Sequence, residues 1–345
     1  MKPTSKPAAA RRPFPLPAVR TDALLNPLVV VAGLAALVLF KYGLGFGRLG
    51  TAVMSLSLFL AYLVTVYVYA SVAMLAYRGK WALLLTAIPV AVGVSLLLSG
   101  PLPPSTVVID WLMPALAGIT TGLLLRQHTG VSRPYLAGVA VVTILAVLWL
   151  GFQWAAMRET VQMMGDDLAK TMQMIASGKG NLDSDISDQI HQATRMLIRL
   201  MPGLMAINFV TQYSLGTLVF FGAVAREDPT APRPAPFTMW AMPFWPMAIV
   251  PVAIGLRYLM GGTVGIIADN LLLLLSVFYC VTGLALVEYW FRKLRLPGLL
   301  RIVMYLMLVP AGVFGYLTLA VAGFADSYFD WRHPEADQES LNNEK

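Results

Sequence analysis

Four polar side chains lie within long apolar segments of the chain, where hydrogen-bonding groups are costly unless they meet water or a partner. Asp269 and Asn270 are neighbours near the start of the apolar segment 264–291, and Asn208 and Gln212 are four positions apart in an earlier segment. A helix places Asn208 and Gln212 on the same face. Together these groups could bind a cationic or hydroxyl-bearing solute, with Asp269 supplying the charge.

The same side chains also have structural interpretations. Asp269 could be an interfacial carboxylate that pairs with Arg257 or is capped by Thr263. Asn208 and Gln212 could form hydrogen bonds to another helix instead of lining a cavity. The sequence leaves both interpretations open.

A proline- and aromatic-rich stretch at 236–251 contains Trp240 and Trp245. Tryptophan favours the membrane interface, and prolines within a span free backbone carbonyls that need new partners. The stretch therefore predicts either an aromatic belt on a kinked helix or an unwound segment that lines a binding cavity. The candidate solute site consists of six residues: Asp269, Asn270, Asn208, Gln212, Trp240 and Trp245.

These residues are set in a chain that is 58% hydrophobic and 12% charged. Soluble domains carry about 25% charged residues, so too few charges are present here to cover a water-facing surface. Apolar runs of about 20 residues recur, long enough to cross a bilayer as helices. We predict an all-α, polytopic helical membrane protein with about nine transmembrane helices, or eight. The predicted spans are 24–40, 51–77, 81–99, 107–125, 134–155, 200–224, 239–258, 264–291 and 299–322.

Charge and composition exclude several functions. The formal net charge is +7, and basic residues lie in short loops beside apolar spans, as in the positive-inside rule. This distribution predicts a multi-pass protein of the bacterial cytoplasmic (inner) membrane with a cytoplasmic N-terminus, and argues against nucleic-acid binding. Cys280 is the single cysteine and the three histidines are widely spaced, which provides neither a disulfide nor a metal site. We expect no enzyme activity and no cofactor.

Composition divides the chain into five parts. A disordered basic, Pro-rich tail (1–23) precedes a five-helix membrane bundle (24–155), and an amphipathic helical hairpin (156–199) follows it. A four-helix membrane region (200–332) and a second disordered tail (333–345) complete the chain.

The hairpin carries apolar residues every three or four positions, a pattern typical of amphipathic helices. In its first arm the predicted apolar stripe comprises Met157, Val161, Met164, Leu168, Met172 and Ile175. The hairpin is either a docking element for a partner or a structure whose stripe packs on itself and on the membrane surface.

Several motifs in the C-terminal half resemble one known family. They are Leu200–Leu204, Phe237–Pro243, Asn270, Tyr279, Lys293–Pro297 and Gly323–Arg332. Their order is similar to that of the YybS-like family of bacterial membrane proteins (domain of unknown function 2232), which has no established activity. The resemblance covers roughly residues 200–332; the earlier spans fit by hydropathy only.

This resemblance implies a fold similar to the substrate-binding components of energy-coupling-factor vitamin transporters, and therefore solute binding. Those components often dock their partner through a stripe of small residues, for which this chain offers only Ala32 and Ala36 in the first span. The most specific part of the match contains Asp326, Asp330 and Arg332. We expect these charges to tie the chain end to a neighbouring loop.

Two functions therefore remain. In the first, the protein binds or transports a small-molecule solute within the lipid bilayer. In the second, it is a membrane scaffold that binds a membrane protein partner through the hairpin 156–199. Polar residues converging on one cavity would favour the first function, and an exposed apolar stripe on the hairpin would favour the second.

Overall fold

The part of the chain described in the computed structural model is almost entirely α-helical. It comprises residues 51–98, 104–127, 130–177, 184–260, 262–308, 310 and 312–332. Its helices are α1 (Thr51–Tyr77), α2 (Trp81–Leu98), α3 (Pro104–Arg126), α4 (Ser132–Ser177), α5 (Ser184–Glu227), α6 (Ile249–Leu259), α7 (Gly262–Lys293), α8 (Gly298–Leu308) and α9 (Gly312–Phe329). No strand occurs among these residues, which confirms the predicted all-α class. Both predicted tails and the first predicted span, 24–40, lie outside the described residues.

Helices α1, α3, α4 and α5 form a ring in which each packs against two neighbours, and α2 lies against α1 and α3. At the centre of the ring, the buried Tyr213 hydroxyl forms a 2.8 Å hydrogen bond with Thr121 and donates to the Tyr135 carbonyl at 3.1 Å. Gly138 leaves room for this hydroxyl, since a Cβ there would overlap it. A tyrosine inside the bundle thus has its polar atom satisfied, as a low-dielectric interior requires.

The C-terminal half is organised around α7, which contacts α5, α6 and α9. Its closest approach is to α9, through Gly283 and Gly323. A Cβ on Gly283 would overlap the Leu319 carbonyl, and one on Gly323 would overlap the Tyr279 carbonyl. Small residues at such crossings let backbones meet directly, which is how helices associate where no hydrophobic effect separates them from lipid.

Two predicted spans are not single helices. The span at 239–258 begins with non-helical backbone and a 3₁₀ turn at Trp245–Ala248, and only Ile249–Leu259 is α-helical. Pro243 and Pro246 explain the difference, because proline lacks the N–H that a helix interior needs. The span at 299–322 is split around Pro310 into α8 and α9, which are bent by 113°.

The described residues contain four helices long and apolar enough to cross a membrane, and a fifth if the bent pair α8–α9 is one span. The four lie in α1, α4, α5 and α7. Three other apolar helical stretches are shorter: Trp81–Leu97, Trp111–Arg126 and Trp245–Leu259. This is a polytopic helical membrane protein, although the nine predicted crossings are not all matched by helices of spanning length.

The predicted hairpin consists of the distal parts of two long helices. Helix α4 has 46 residues and runs through position 156 without a break; α5 has 44 and runs through position 199. The two helices pack through Val161, Gly165 and Ala169, which are buried at intervals of four. A Cβ on Gly165 would lie 2.5 Å from the Thr194 hydroxyl, so the helices approach closely there.

The predicted apolar stripe of the first arm is therefore wrong in part. Only Val161 of that stripe is buried, whereas Met164 and Leu168 are exposed. The buried face instead uses the small residues Gly165 and Ala169, because two helices at this short separation leave no room for longer side chains. The side chains of Met172 and Ile175 lie outside the described part.

The α7–α9 crossing provides a first test. We predict that Gly323→Ala destabilises the protein by about 1–3 kcal/mol, since the added methyl forces two backbones apart. Gly222→Ala is the matched control, because nothing lies within 4 Å of a Cβ at that helical position. Thermal unfolding in detergent should show a lower melting temperature for the first variant and no loss for the second; equal melting temperatures would contradict the crossing.

Candidate functional site

Asp269 lies between two arginines from other helices. Its Oδ2 is 2.5 Å from Nε of Arg199 in α5, and its Oδ1 is 2.8 Å from Nε of Arg257 near the end of α6. The Asp269 side chain is 19% exposed, while those of Arg199 and Arg257 are 33% and 40% exposed. The structure thus shows the pairing with Arg257 that the sequence allowed, and adds Arg199. Two guanidinium groups and one carboxylate leave a net positive charge.

This cluster lies at one boundary of the apolar segments. Arg199 precedes the apolar part of α5, Arg257 follows that of α6, and Asp269 precedes the leucine run of α7. Charged side chains in such positions can reach the membrane–water interface, where the cost of exposure to hydrocarbon disappears. The hairpin extends from this same end of α5.

The neighbouring Asn270 carries out a structural task. Its Nδ2 donates to the carbonyls of Arg199 at 2.9 Å and Ile266 at 2.7 Å, and its Oδ1 accepts from the Gly203 N–H at 2.5 Å. In an uninterrupted helix, the N–H of residue 203 bonds to the carbonyl of residue 199. Asn270 holds both of these α5 groups, so its carboxamide bridges one turn of a neighbouring helix.

Pro202 explains why this turn of α5 admits a side chain from α7. A proline inside a helix has no N–H to donate, and its ring crowds the carbonyl four residues earlier. Gly203 adds space, since a Cβ there would lie 2.7 Å from Oδ1 of Asn270. Freed backbone groups in a membrane helix need another partner, and Asn270 supplies it.

The other candidate residues do not join this cluster. Gln212 donates to Asn208 at 3.4 Å within α5, and no hydrogen bond or ion pair among the described residues links either side chain to Asp269 or Asn270. Trp245 is 65% exposed at the start of its 3₁₀ turn. The structure does not bring the six predicted solute-site residues together.

Trp240 belongs to a second polar centre, around Arg332. The Arg332 side chain is only 1% exposed; its Nε and Nη2 donate to Oδ2 of Asp326 at 3.0 and 2.5 Å. Its Nη1 and Nη2 also donate to the carbonyls of Thr238 and Trp240, each at 2.8 Å. The non-helical backbone after Pro236 exposes these carbonyls, and Arg332 satisfies them. The expected tie between the chain end and a neighbouring loop is thus present at Arg332.

Asp330 positions Arg332 for this contact. It ends α9 with a left-handed backbone (φ 45°), and its N–H donates to the Asp326 carbonyl at 2.8 Å. Such a residue turns the chain sharply after a helix. The turn returns Arg332 to the side chain of Asp326, six residues earlier.

Glu288 forms a third polar centre near the other end of α7. Its Oε1 accepts from Arg292 at 2.7 Å and from Arg301 at 3.3 Å, and its Oε2 accepts from the Tyr305 hydroxyl at 2.9 Å. Arg301 and Tyr305 lie on α8, so this carboxylate joins α7 to α8. The charge is balanced by hydrogen-bonded arginines, as a nearly buried carboxylate requires.

A cavity between α1, α2 and α3 is lined by apolar side chains and by Tyr67 and Ser71. Its volume of about 20 Å³ suits a single water-sized molecule, whereas sites for organic solutes enclose about 300 Å³ or more. It lies on helices other than those that carry the Asp269 cluster.

The sequence analysis did not identify Arg199, Pro202 and Gly203 as parts of the site. One signal was available: Arg199 is the last charge before a long apolar run, a position that favours an interfacial partner. The role of Pro202 carried no signal, because it depends on an asparagine 68 positions later that only the tertiary structure brings close.

The Asn270 bridge can be tested by substitution. We predict that Asn270→Ala lowers stability by about 3 kcal/mol, from three hydrogen bonds of about 1 kcal/mol each. Asn208→Ala is the control, since its carboxamide contacts only Gln212 on its own helix. In a Pro202→Ala background α5 can close its own turn, so Asn270→Ala should cost clearly less there by chemical or thermal unfolding. An unchanged cost would show that Asn270 does not serve the proline break.

The Arg332 centre gives a second prediction. Arg332→Ala leaves the buried Asp326 carboxylate and two carbonyls without donors, so we expect a loss of about 3–5 kcal/mol. Arg233→Ala removes an exposed arginine of the loop before the 3₁₀ turns and should change little. The comparison requires melting temperatures and membrane abundance of both variants; a wild-type melting temperature for Arg332→Ala would refute the anchoring role.

Comparison with known proteins agrees with this architecture. A family model described as "Predicted membrane protein (DUF2232)" matches residues 52–327, from the first described helix to the end of α9. The match is wider than the sequence motifs implied, and it includes the Asp269 and Glu288 centres. No curated protein and no solved structure matches the chain. The chain belongs to the DUF2232 family of predicted membrane proteins.

Proposed function

We propose that this protein is a membrane scaffold that binds another membrane protein through the hairpin formed by the distal parts of α4 and α5. One observation carries the proposal: the hairpin presents an exposed apolar flank, and the course of its helices holds that flank away from lipid. The hairpin was one of two candidate functional elements in the sequence, and it has the better support.

The length of the helices supports a hairpin that projects from the bilayer. Helix α4 has 46 residues and is therefore about 69 Å long, whereas the hydrocarbon core of a bilayer is about 30 Å thick. The residues after position 155 extend the helix by about 30 Å beyond its apolar part. Because the helix does not break at the membrane boundary, its distal part cannot lie flat on the lipid surface.

One flank of the hairpin is apolar. Met164 and Leu168 each precede a buried contact residue of α4 by one position, and Leu197 stands in the same relation to Ile198 on α5. Because the two helices run antiparallel, these positions lie on the same side of the hairpin. The three side chains are 68%, 49% and 47% exposed, respectively. Unbranched methionines adapt to varied partner surfaces, which suits an interaction site.

The opposite flank is polar. Asp166 and Lys170 each follow a buried contact residue by one position, and His191 and Arg195 are their counterparts on α5. The 3.9 Å contact between Nδ1 of His191 and Oδ1 of Asp166 agrees with this assignment of sides. A hairpin with water on both flanks has no need for an apolar one, so the asymmetry favours a partner on the apolar side.

Solute binding, the other function, has weaker support. A cationic solute at Asp269 would have to displace two arginines, and Asn270 already uses its donors and its acceptor on the backbone. Asn208, Gln212 and Trp245 lie apart from that carboxylate.

The proposal can be tested by photo-crosslinking in intact cells. A benzoylphenylalanine at position 168 lies on the apolar flank, and one at position 170 lies on the polar flank of the same helix turn. We expect a discrete protein adduct from position 168 and from position 164, and none from 170. Leu197→Asp should abolish the adduct from position 168 and leave the melting temperature unchanged, because the substituted side chain is exposed.

Equal adducts from positions 168 and 170 would contradict a sided interaction. Adducts only to lipid would show that the flank lies on the membrane. An adduct containing two copies of this chain would identify the partner as a second copy.

A further inference from the structure

The Asp269 cluster contains hydrogen-bond donors that the protein does not use. Arg199 and Arg257 each approach Asp269 through Nε. Within the described part of the chain, the terminal amino groups Nη1 and Nη2 of both arginines have no hydrogen bond or ion pair. A guanidinium group has five N–H donors arranged as a fork that fits planar carboxylates and phosphates. Both forks are also accessible, since one third or more of each side chain is exposed.

The electrostatic setting favours an anion. The one carboxylate of the cluster neutralises only one of two guanidinium groups. Both arginines also lie beside the first turn of α7: a Cβ on Gly265 would be 3.3 Å from Nη2 of Arg199 and 3.9 Å from Cδ of Arg257. The first turn of a helix carries partial positive charge on its free N–H groups. Three sources of positive potential therefore meet at one place.

We propose that Arg199 and Arg257 form a binding site for a phosphate group at the start of α7, carried by an anionic phospholipid headgroup or by free phosphate. Asp269 is then a positioning residue: by holding each Nε, it turns the two forks outward. The site reverses the charge of the ligand that Asp269 alone suggested.

The surroundings of Arg257 favour the lipid as the source. The three residues that follow it, Tyr258, Leu259 and Met260, are 84%, 86% and 65% exposed. Tyrosine and apolar side chains next to an arginine are typical of the membrane interface, where acyl chains and headgroups meet. Basic pockets between transmembrane helices bind anionic headgroups by the same chemistry.

The experiment uses the full chain purified in a mild detergent and measures thermal shifts with three probes. These are dioleoyl phosphatidylglycerol, dioleoyl phosphatidylcholine as a control for general lipid effects, and inorganic phosphate. We expect phosphatidylglycerol to raise the melting temperature of the wild type more than phosphatidylcholine does. Arg257→Gln should weaken that response roughly tenfold in lipid concentration, the effect of losing one set of charge-assisted hydrogen bonds.

Two further variants make the result specific. Arg257→Lys keeps the charge beside Asp269 but removes the fork, so its response should also be weaker than that of the wild type. Arg226→Gln removes an exposed arginine at the opposite end of α5 and should respond as the wild type does. The shift on ligand addition is compared within each variant, so a lower starting stability does not imitate a lost site.

The three probes separate the sources of the phosphate group. A shift with phosphatidylglycerol that Arg257→Gln weakens assigns the site to lipid. A shift with inorganic phosphate alone, weakened by the same variant, assigns it to free phosphate. No shift above the phosphatidylcholine control with either anion, or an equal shift in wild type and Arg257→Gln, would overturn the proposal.

Discussion

Inside a bilayer a polar group finds no water, and this constraint accounts for the position of nearly every charged or amide side chain described above. Where proline interrupts a helix, a side chain from another helix supplies the missing partner: Asn270 does so for the turn at Pro202. Where the backbone leaves helical geometry before α6, Arg332 satisfies its carbonyls. The breaks and the polar groups that serve them therefore form one system, in which each requires the other.

This dependence shapes the functional conclusion. Polar side chains within membrane segments often mark a ligand pathway, but they do so only when their hydrogen-bonding capacity is free. Here Asn270, Glu288 and Arg332 are occupied by protein partners. What remains available lies at the membrane boundary and beyond it: the outward forks of Arg199 and Arg257, and the apolar flank of the hairpin. The protein is better equipped to contact headgroups and a partner protein than to enclose a solute.

Local sequence features predicted the helical class, the membrane setting and the pairing of Asp269 with Arg257. Hydropathy records the apolar character of a segment but not whether its helix is continuous, so the prolines near 243 and 310 divided two predicted spans. Conversely, charges beginning at Arg158 marked a boundary where the helix continues unchanged. Helical periodicity predicted an amphipathic hairpin, but the buried face depended on how closely Gly165 approaches Thr194. Contacts between distant residues, such as that of Asn270 with α5, lie beyond local patterns.

The central claim is that the hairpin stands away from the bilayer as a continuation of α4 and α5. Its most direct test is fluorescence quenching in nanodiscs, with a single labelled cysteine introduced in a Cys280→Ser background. A label at Val147, 63% exposed within the apolar part of α4, should be quenched by nitroxides on the acyl chains. A label at Leu168 lies about 20 Å beyond position 155 along the helix and should escape both acyl-chain and headgroup nitroxides. Strong headgroup quenching at position 168 would show a hairpin lying on the membrane and would contradict this account.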